Sequence, residues 1–184
     1  MMLQTSVVWL LALCAMALGC PHIVSRSQWG ARVPKNKVHL KTPVPYVIVH
    51  YSAGSCCFTP ASCSWLVRII QRYHMDNWLL ADIAYNFLIG EDGRIYEGRG
   101  WRTRGAHAEN WNNKSLGISF LGNFSKIGPR RAALNAAKRL IQCAVSRNFL
   151  SRKYILKGLR NVKLTRCPGN ALHGVIKWWP RFKA

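Results

Sequence analysis

The chain has 184 residues, 49% of them hydrophobic, and its 27 Lys and Arg against 6 Asp and Glu give a formal net charge of +21. That length suits one domain with a single sizeable core rather than several. The charge excludes a neutral surface and favours polyanions (nucleic acid, heparin-like glycans, anionic lipid or the phosphate-rich bacterial envelope), the plain alternative being a solvated cationic surface with no specific target.

Val7 to Leu18 is an apolar run too short to span a bilayer, and Ala17-Leu18-Gly19 is a small-x-small cleavage pattern. Residues 1–19 therefore read as a secretory signal, with Cys20 the first mature residue and 20–184 the domain. The n-region has no Lys or Arg, which leaves an uncleaved anchor as the alternative. Export places the protein outside the cell or in a secretory granule, with no transmembrane segment in the mature chain. It also moves the expected partner from nucleic acid to anionic cell-envelope polymers. Cysteine usage agrees: with Cys14 lost in the signal, six of the seven remain, and Cys56, Cys57 and Cys63 are crowded together. Spacing alone does not choose among their connectivities. Asn113 and Asn123 open sequons.

Ile23 to Lys41 lacks sustained periodicity and reads as a wrapping segment anchored by Trp29. Val44 to Ser52, VPYVIVHYS, is β-branched, aromatic and almost uncharged, as a central strand covered on both faces requires. Thr59-Pro60 supplies an N-cap with Pro at the first helical position. Trp65, Leu66, Ile69, Ile70 and Tyr73 then recur at helical spacing to about Asn77. Tyr85 to Trp101, YNFLIGEDGRIYEGRGW, is a hairpin: an apolar Phe87–Ile89 run, a Gly90–Gly93 turn, and an alternating Arg94–Glu97 run stopped by Gly98 and Gly100. Ser115 to Leu121 is a further strand. Pro129 opens a second helix with an apolar face of Ala133, Leu134, Ala137, Leu140, Ile141, Ala144 and Val145. Tyr154–Lys157 is a short strand, and Asn170–Trp179 a last helix after Pro168-Gly169. The pattern predicts an α/β domain with three helices packed on a mixed central sheet.

His50, Tyr85, Thr165 and Cys167 each fall at or just beyond a strand end, where α/β sheets meet ligands. An imidazole and a thiolate are zinc ligands, and a nearby phenol can polarise a carbonyl. Each also has a structural reading as a satisfied His, a disulfide Cys or a packing Tyr. Catalytic zinc takes three protein ligands, and this set contains two.

VIVHYSAG, TPASC, RYHM, DIAYNFLIGEDGRIYEGRGW, GAH, NNKSLGISFLGN and YILKGLRNVKLTRCPGNAL, in that order, resemble the short secreted vertebrate peptidoglycan recognition proteins across essentially the whole mature chain. The resemblance implies a sheet of about five strands related to the type 2 N-acetylmuramoyl-L-alanine amidases. It also implies a secreted innate-immune protein that binds the muramyl-peptide of bacterial peptidoglycan and acts against bacteria. The alternative it implies is a zinc amidase that hydrolyses the lactyl-amide bond. In amidase-active members zinc is held by a strand His, the His of Gly-His-Arg and the Cys of Thr-x-Cys-Pro-Gly, with a Tyr assisting. His50, Tyr85, Thr165 and Cys167 match, but Leu159 stands where the second His belongs, so no cofactor is expected unless zinc fills the remnant of that site. The same resemblance puts Tyr51, His74, Tyr85, His107 and Asn112 on the peptide groove. Trp78, Leu79 and Leu80 fall where stem peptides are distinguished, and Leu79-Leu80 matches neither the Gly-Trp nor the Asn-Phe pair usual there. The family pattern further implies the disulfides Cys57–Cys63 and Cys20–Cys143, leaving Cys56 and Cys167 unassigned.

Overall fold

The strand Val44–Tyr51 is the mechanical centre of the molecule. In the computed structural model, which describes residues 19–184, it is β2 and pairs in parallel on both sides, with Ser115–Phe120 (β5) and with Leu150–Gly158 (β6). Val47, Ile48 and Val49 are entirely enclosed, which explains the uncharged run. The predicted secretory signal lies, up to Leu18, outside the described residues. Among those described, no helix is long and apolar enough to cross a membrane.

The sheet has six strands in the order β1-β4-β3-β5-β2-β6, one more than expected. The extra strand is β1, Ile23–Val24, which pairs in parallel with Ile95 and Tyr96 of β4 (Ile95–Glu97). Two residues are too few to display alternation, so the open edge of β4 and not a local pattern makes β1 a strand. β3, Phe87–Ile89, forms the expected hairpin with β4 and lies parallel to β5. β6 begins at Leu150, earlier than expected, with an irregular register between Val44 and Tyr46; that break conceals the first half of the strand from a period-two reading.

Alternating side chains of the hairpin divide the core between the two faces of the sheet. Phe87, Ile89 and Ile95 join Ala133, Ala137, Leu140 and Leu172 on one face, while Leu88 and Tyr96 join Trp29, Cys63 and Val67 on the other. Four helices supply these layers. A single turn, α1 (Arg26–Trp29), carries a Ser25–Gln28 capping box and sinks Trp29, whose Nε1 donates to the carbonyl of Glu97 at 2.9 Å. α2 (Pro60–Arg72) starts with the expected Thr59 cap and runs into a wider turn, Tyr73–Asn77. α3 is Arg131–Ser146, and α4 is Asn170–Ile176. α4 stops short of the expected Trp179 because Pro180 has no N–H to continue the ladder; Trp178 and Trp179 instead donate to Val175 and Ile176 in a tightened turn.

Both expected disulfides are present. Cys57–Cys63 closes the loop entering α2, and Cys20–Cys143 ties the N-terminal segment to α3 across 123 positions. Cys56 is a free exposed thiol and Cys167 a free buried one, and both sequon asparagines are exposed.

Candidate functional site

A cleft of about 880 Å³ opens where the C-terminal end of β2 meets α2 and the loops after β6. Its floor is made by His50 and Tyr51 as β2 leaves the sheet. Leu66, Ile69 and Ile70, one apolar stripe of α2, form a wall. The wide turn after α2 contributes Tyr73 and His74; extra residues in a helical turn re-aim side chains and are common at functional sites. Trp78 and Leu80, the Ala84-Tyr85 approach to the hairpin, the loop with His107 and Asn112, and Leu159, Lys163, Thr165 and Cys167 complete the lining.

Every groove residue expected from the sequence lines this cleft except Leu79. That residue is 77% exposed with φ 55°, the left-handed region in which a Leu side chain is strained and Gly or Asn is at ease. Leu66, Ile69, Ile70, Tyr73 and Lys163 were not anticipated as lining. The helical periodicity of the α2 residues shows that they share a face, but not that this face stops short of the sheet and leaves a gap.

The imidazoles are held firmly and without charge. His50 Nε2 and His107 Nδ1 are 3.0 Å apart, one donating to the other. Burial drives the pKa of His50 well below its usual value, reinforced by His107; His107 is brought down to about 3 by burial and by the Arg99 guanidinium. His74 is lowered to about 4, again by burial and then Arg99. Its Nδ1 accepts from the N–H of Ala84 at 3.0 Å, so the proton of the neutral ring sits on Nε2, ready to donate. Arg99 itself is anchored to the carbonyls of Ile83 and Arg104, and its part here was not read from the sequence beyond its place in the hairpin motif.

Around these rings the aromatic side chains form a continuous surface. Trp78 stacks on His74 with centroids 4.6 Å apart, and Tyr85 meets His74 edge-on at 5.5 Å and His50 at 5.2 Å. Burial, with Cys167 beside it, pushes Tyr85 up to about 12, so it remains a phenol that can donate. Asn112 accepts from the N–H groups of His107 and Ala108 at 2.8 and 2.9 Å, which commits its carbonyl to shaping the loop and leaves its NH₂ for other partners. Cys167 Sγ accepts from the N–H of Tyr51 at 3.4 Å, and burial raises its thiol to about 11. Among the described residues no group of three or more His, Cys, Asp and Glu comes together as a metal set. The arrangement is a half-apolar trough with neutral donors at fixed points, suited to a ligand with apolar faces, carbonyls and carboxylates.

The N-acetylmuramoyl-L-alanine amidase family matches residues 40–170. Peptidoglycan-recognition protein SC2 of Drosophila melanogaster is 47% identical over 171 residues, 93% of each chain. Peptidoglycan recognition protein 1 of Bos taurus is 45% identical over 184 residues, 97% of this chain and 96% of its own. The crystal structure of human PGRP-IBETAC in complex with glycosamyl muramyl pentapeptide superposes with a TM-score of 0.87 at 44% identity, covering 90% of this chain and all of that one. With its sheet order, its cleft and this likeness over nearly its whole length, the chain belongs to the peptidoglycan recognition proteins, on an N-acetylmuramoyl-L-alanine amidase domain.

Proposed function

We propose that this is a secreted innate-immune recognition protein that holds the muramyl-peptide of bacterial peptidoglycan in the cleft and acts against bacteria without efficient hydrolysis. The observation that carries the reading is the meeting, in one trough, of the apolar α2 wall with uncharged polar groups: the His74 and Tyr85 donors and the His107 imidazole. A muramyl-peptide offers methyl and sugar faces to the first and carbonyls and carboxylates to the second. Human PGRP-IBETAC, a relative of the same fold, was crystallised in complex with a ligand of this class, glycosamyl muramyl pentapeptide. The net charge of +21 adds attraction to the phosphates of the bacterial envelope, a contribution that fades with salt. Retention on purified, teichoic-acid-free peptidoglycan tests the reading. Binding to polyanions alone would reduce the protein to a nonspecific cationic binder.

The amidase reading draws on His50, Tyr85, Thr165 and Cys167, which all line the cleft. The donor set does not fit a catalytic zinc. Leu159, the residue after the Gly158 that pairs with Val49, brings a side chain with no lone pair, and among the described residues no third His, Cys, Asp or Glu joins His50 and Cys167. Three protein ligands are the rule for such a centre, and loss of even an outer partner weakens metal affinity or activity by about 10–100-fold. Zinc titration and stem-peptide release, compared with Leu159→His, separate the readings. Release by Leu159→His alone assigns the loss to the missing imidazole, and equal release by the unmutated protein refutes the binding-only reading.

A further inference from the structure

On the far side of the sheet from α2, the corner formed by the end of α4 and the loop before α3 carries a surface that the cleft does not use. All six carboxylate side chains of the protein lie between Asp76 and Glu109; residues 110–184 hold 16 Lys and Arg and no Asp or Glu. Several of those carboxylates are already engaged: Asp82 with Arg26, Asp76 with Arg32, and Asp92 with the hydroxyl of Tyr96. The cations of the α3–α4 layer therefore have no side-chain counter-ion from their own half of the chain.

Two large apolar side chains stand out among those cations, Ile127 at 80% and Trp178 at 81% exposure. The fold brings their segments together. Gly128 lies against Val175 of α4, and Trp178 closes the next turn through its N–H to the Val175 carbonyl at 3.2 Å. Its neighbour Trp179 takes the core position, 7% exposed, with the Lys138 ammonium over its ring. Trp178 is thus the indole the core did not need. Lys177 Nζ sits 5.2 Å from its centroid and Lys126 flanks Ile127, both exposed, while the Arg181 guanidinium turns to the ring of Tyr154.

An exposed indole with an ammonium over its ring, and an exposed branched alkyl chain next to a lysine in the chain, match the chemistry of an anionic bilayer surface, where indoles settle at the headgroup level and ammonium groups on phosphates. A soluble polyanion would satisfy the cations and leave Trp178 and Ile127 in water. We infer that this corner docks on bilayers rich in anionic phospholipid, with Trp178 and Ile127 entering the headgroup region and Lys126 and Lys177 on the phosphates. Since α2 walls the cleft from the opposite face of the sheet, a docked molecule keeps its cleft open. The inference does not depend on what the cleft binds.

Sedimentation of the full secreted chain with vesicles of phosphatidylcholine containing about one-third phosphatidylglycerol, against phosphatidylcholine alone, is the test. Pelleting with the acidic vesicles only is expected. Trp178→Ala with Ile127→Ala should lower partitioning about tenfold, and Lys126→Gln or Lys177→Gln about fivefold each, with peptidoglycan retention unchanged. In the wild type, brominated acyl chains should quench an indole signal that disappears in Trp178→Phe, a variant that preserves the packing. Failure of the wild type to pellet, undiminished partitioning of the double variant, or quenching that persists in Trp178→Phe overturns the proposal. So does equal binding of wild type and double variant to a soluble poly(glycerol phosphate), with no preference for the bilayer.

Discussion

The cleft and the α3–α4 face come from one strongly basic chain and use opposite electrostatics. On the cleft floor, burial keeps ionisable groups uncharged: it lowers the pKa values of His50, His74 and His107 and raises those of the Cys167 thiol and the Tyr85 phenol. On the far face Lys126, Arg131, Lys138, Arg139 and Lys177 stay exposed to water. Desolvation sharpens short-range hydrogen bonding at fixed points, whereas an exposed field acts at range and is screened by salt. Under the proposed function, recognition of a shaped ligand and attraction to an anionic surface are therefore separable, on opposite sides of one sheet.

The largest expected effect comes from disturbing the few carboxylates. Asp82, with a side chain 4% exposed, pairs with Arg26 at 3.0 Å and accepts from Gln71 and from the Ile83 N–H. Asp82→Ala should cost about 3 kcal/mol, since removing one partner of a buried pair strands the others. Urea unfolding measures it, and a loss under about 1 kcal/mol would show that water replaces the carboxylate.

Acidification addresses the cleft directly. The folded pKa values of His74 and His107, about 4 and about 3, lie below that of an unfolded imidazole, near 6.5. Below that value the unfolded chain binds more protons than the folded one, so this contribution is fully present above pH 6.5 and is lost as pH falls towards 4 and then 3. The slope should approach about 1.4 kcal/mol per pH unit for each such imidazole. Denaturant midpoints across this range test it, and His74→Gln should flatten the curve. An unchanged slope would mean that His74 is not held neutral by its surroundings.

Trp78→Ala removes the face stacked on His74 and should weaken muramyl-peptide binding about tenfold, by calorimetry, while leaving acidic-vesicle partitioning intact. Equal losses in both assays would collapse the distinction between the two sides. The smallest effect is expected for Arg32→Gln, which breaks a half-exposed pair with Asp76: a change in thermal midpoint at the edge of detection, vanishing in high salt.

Much of the framework was legible because its signals are local. The apolar run of β2 required two covered faces, Thr59-Pro60 and the α2 periodicity required a helix, and the glycine-bounded hairpin required a turn. The ordered motifs pointed to the family, and with it to the imidazole and most of the aromatic residues of the cleft and to both disulfides. The two-residue β1, the early start of β6 and the outward position of Leu79 were not legible, since each follows from an edge, a register break or a backbone angle that no side-chain pattern encodes.

The sequence by itself determined which residues can form strands and helices, the net charge, and the absence of a lone pair at Leu159, because these are properties of single residues and their spacing. Only the tertiary structure decided that His50 Nε2 would meet His107 Nδ1, that Arg99 would act on two imidazoles, and that Trp178 would face water while Trp179 filled the core. Such outcomes depend on which surfaces meet across the sheet and how far water is excluded between them, and those distances exist only once the chain has closed.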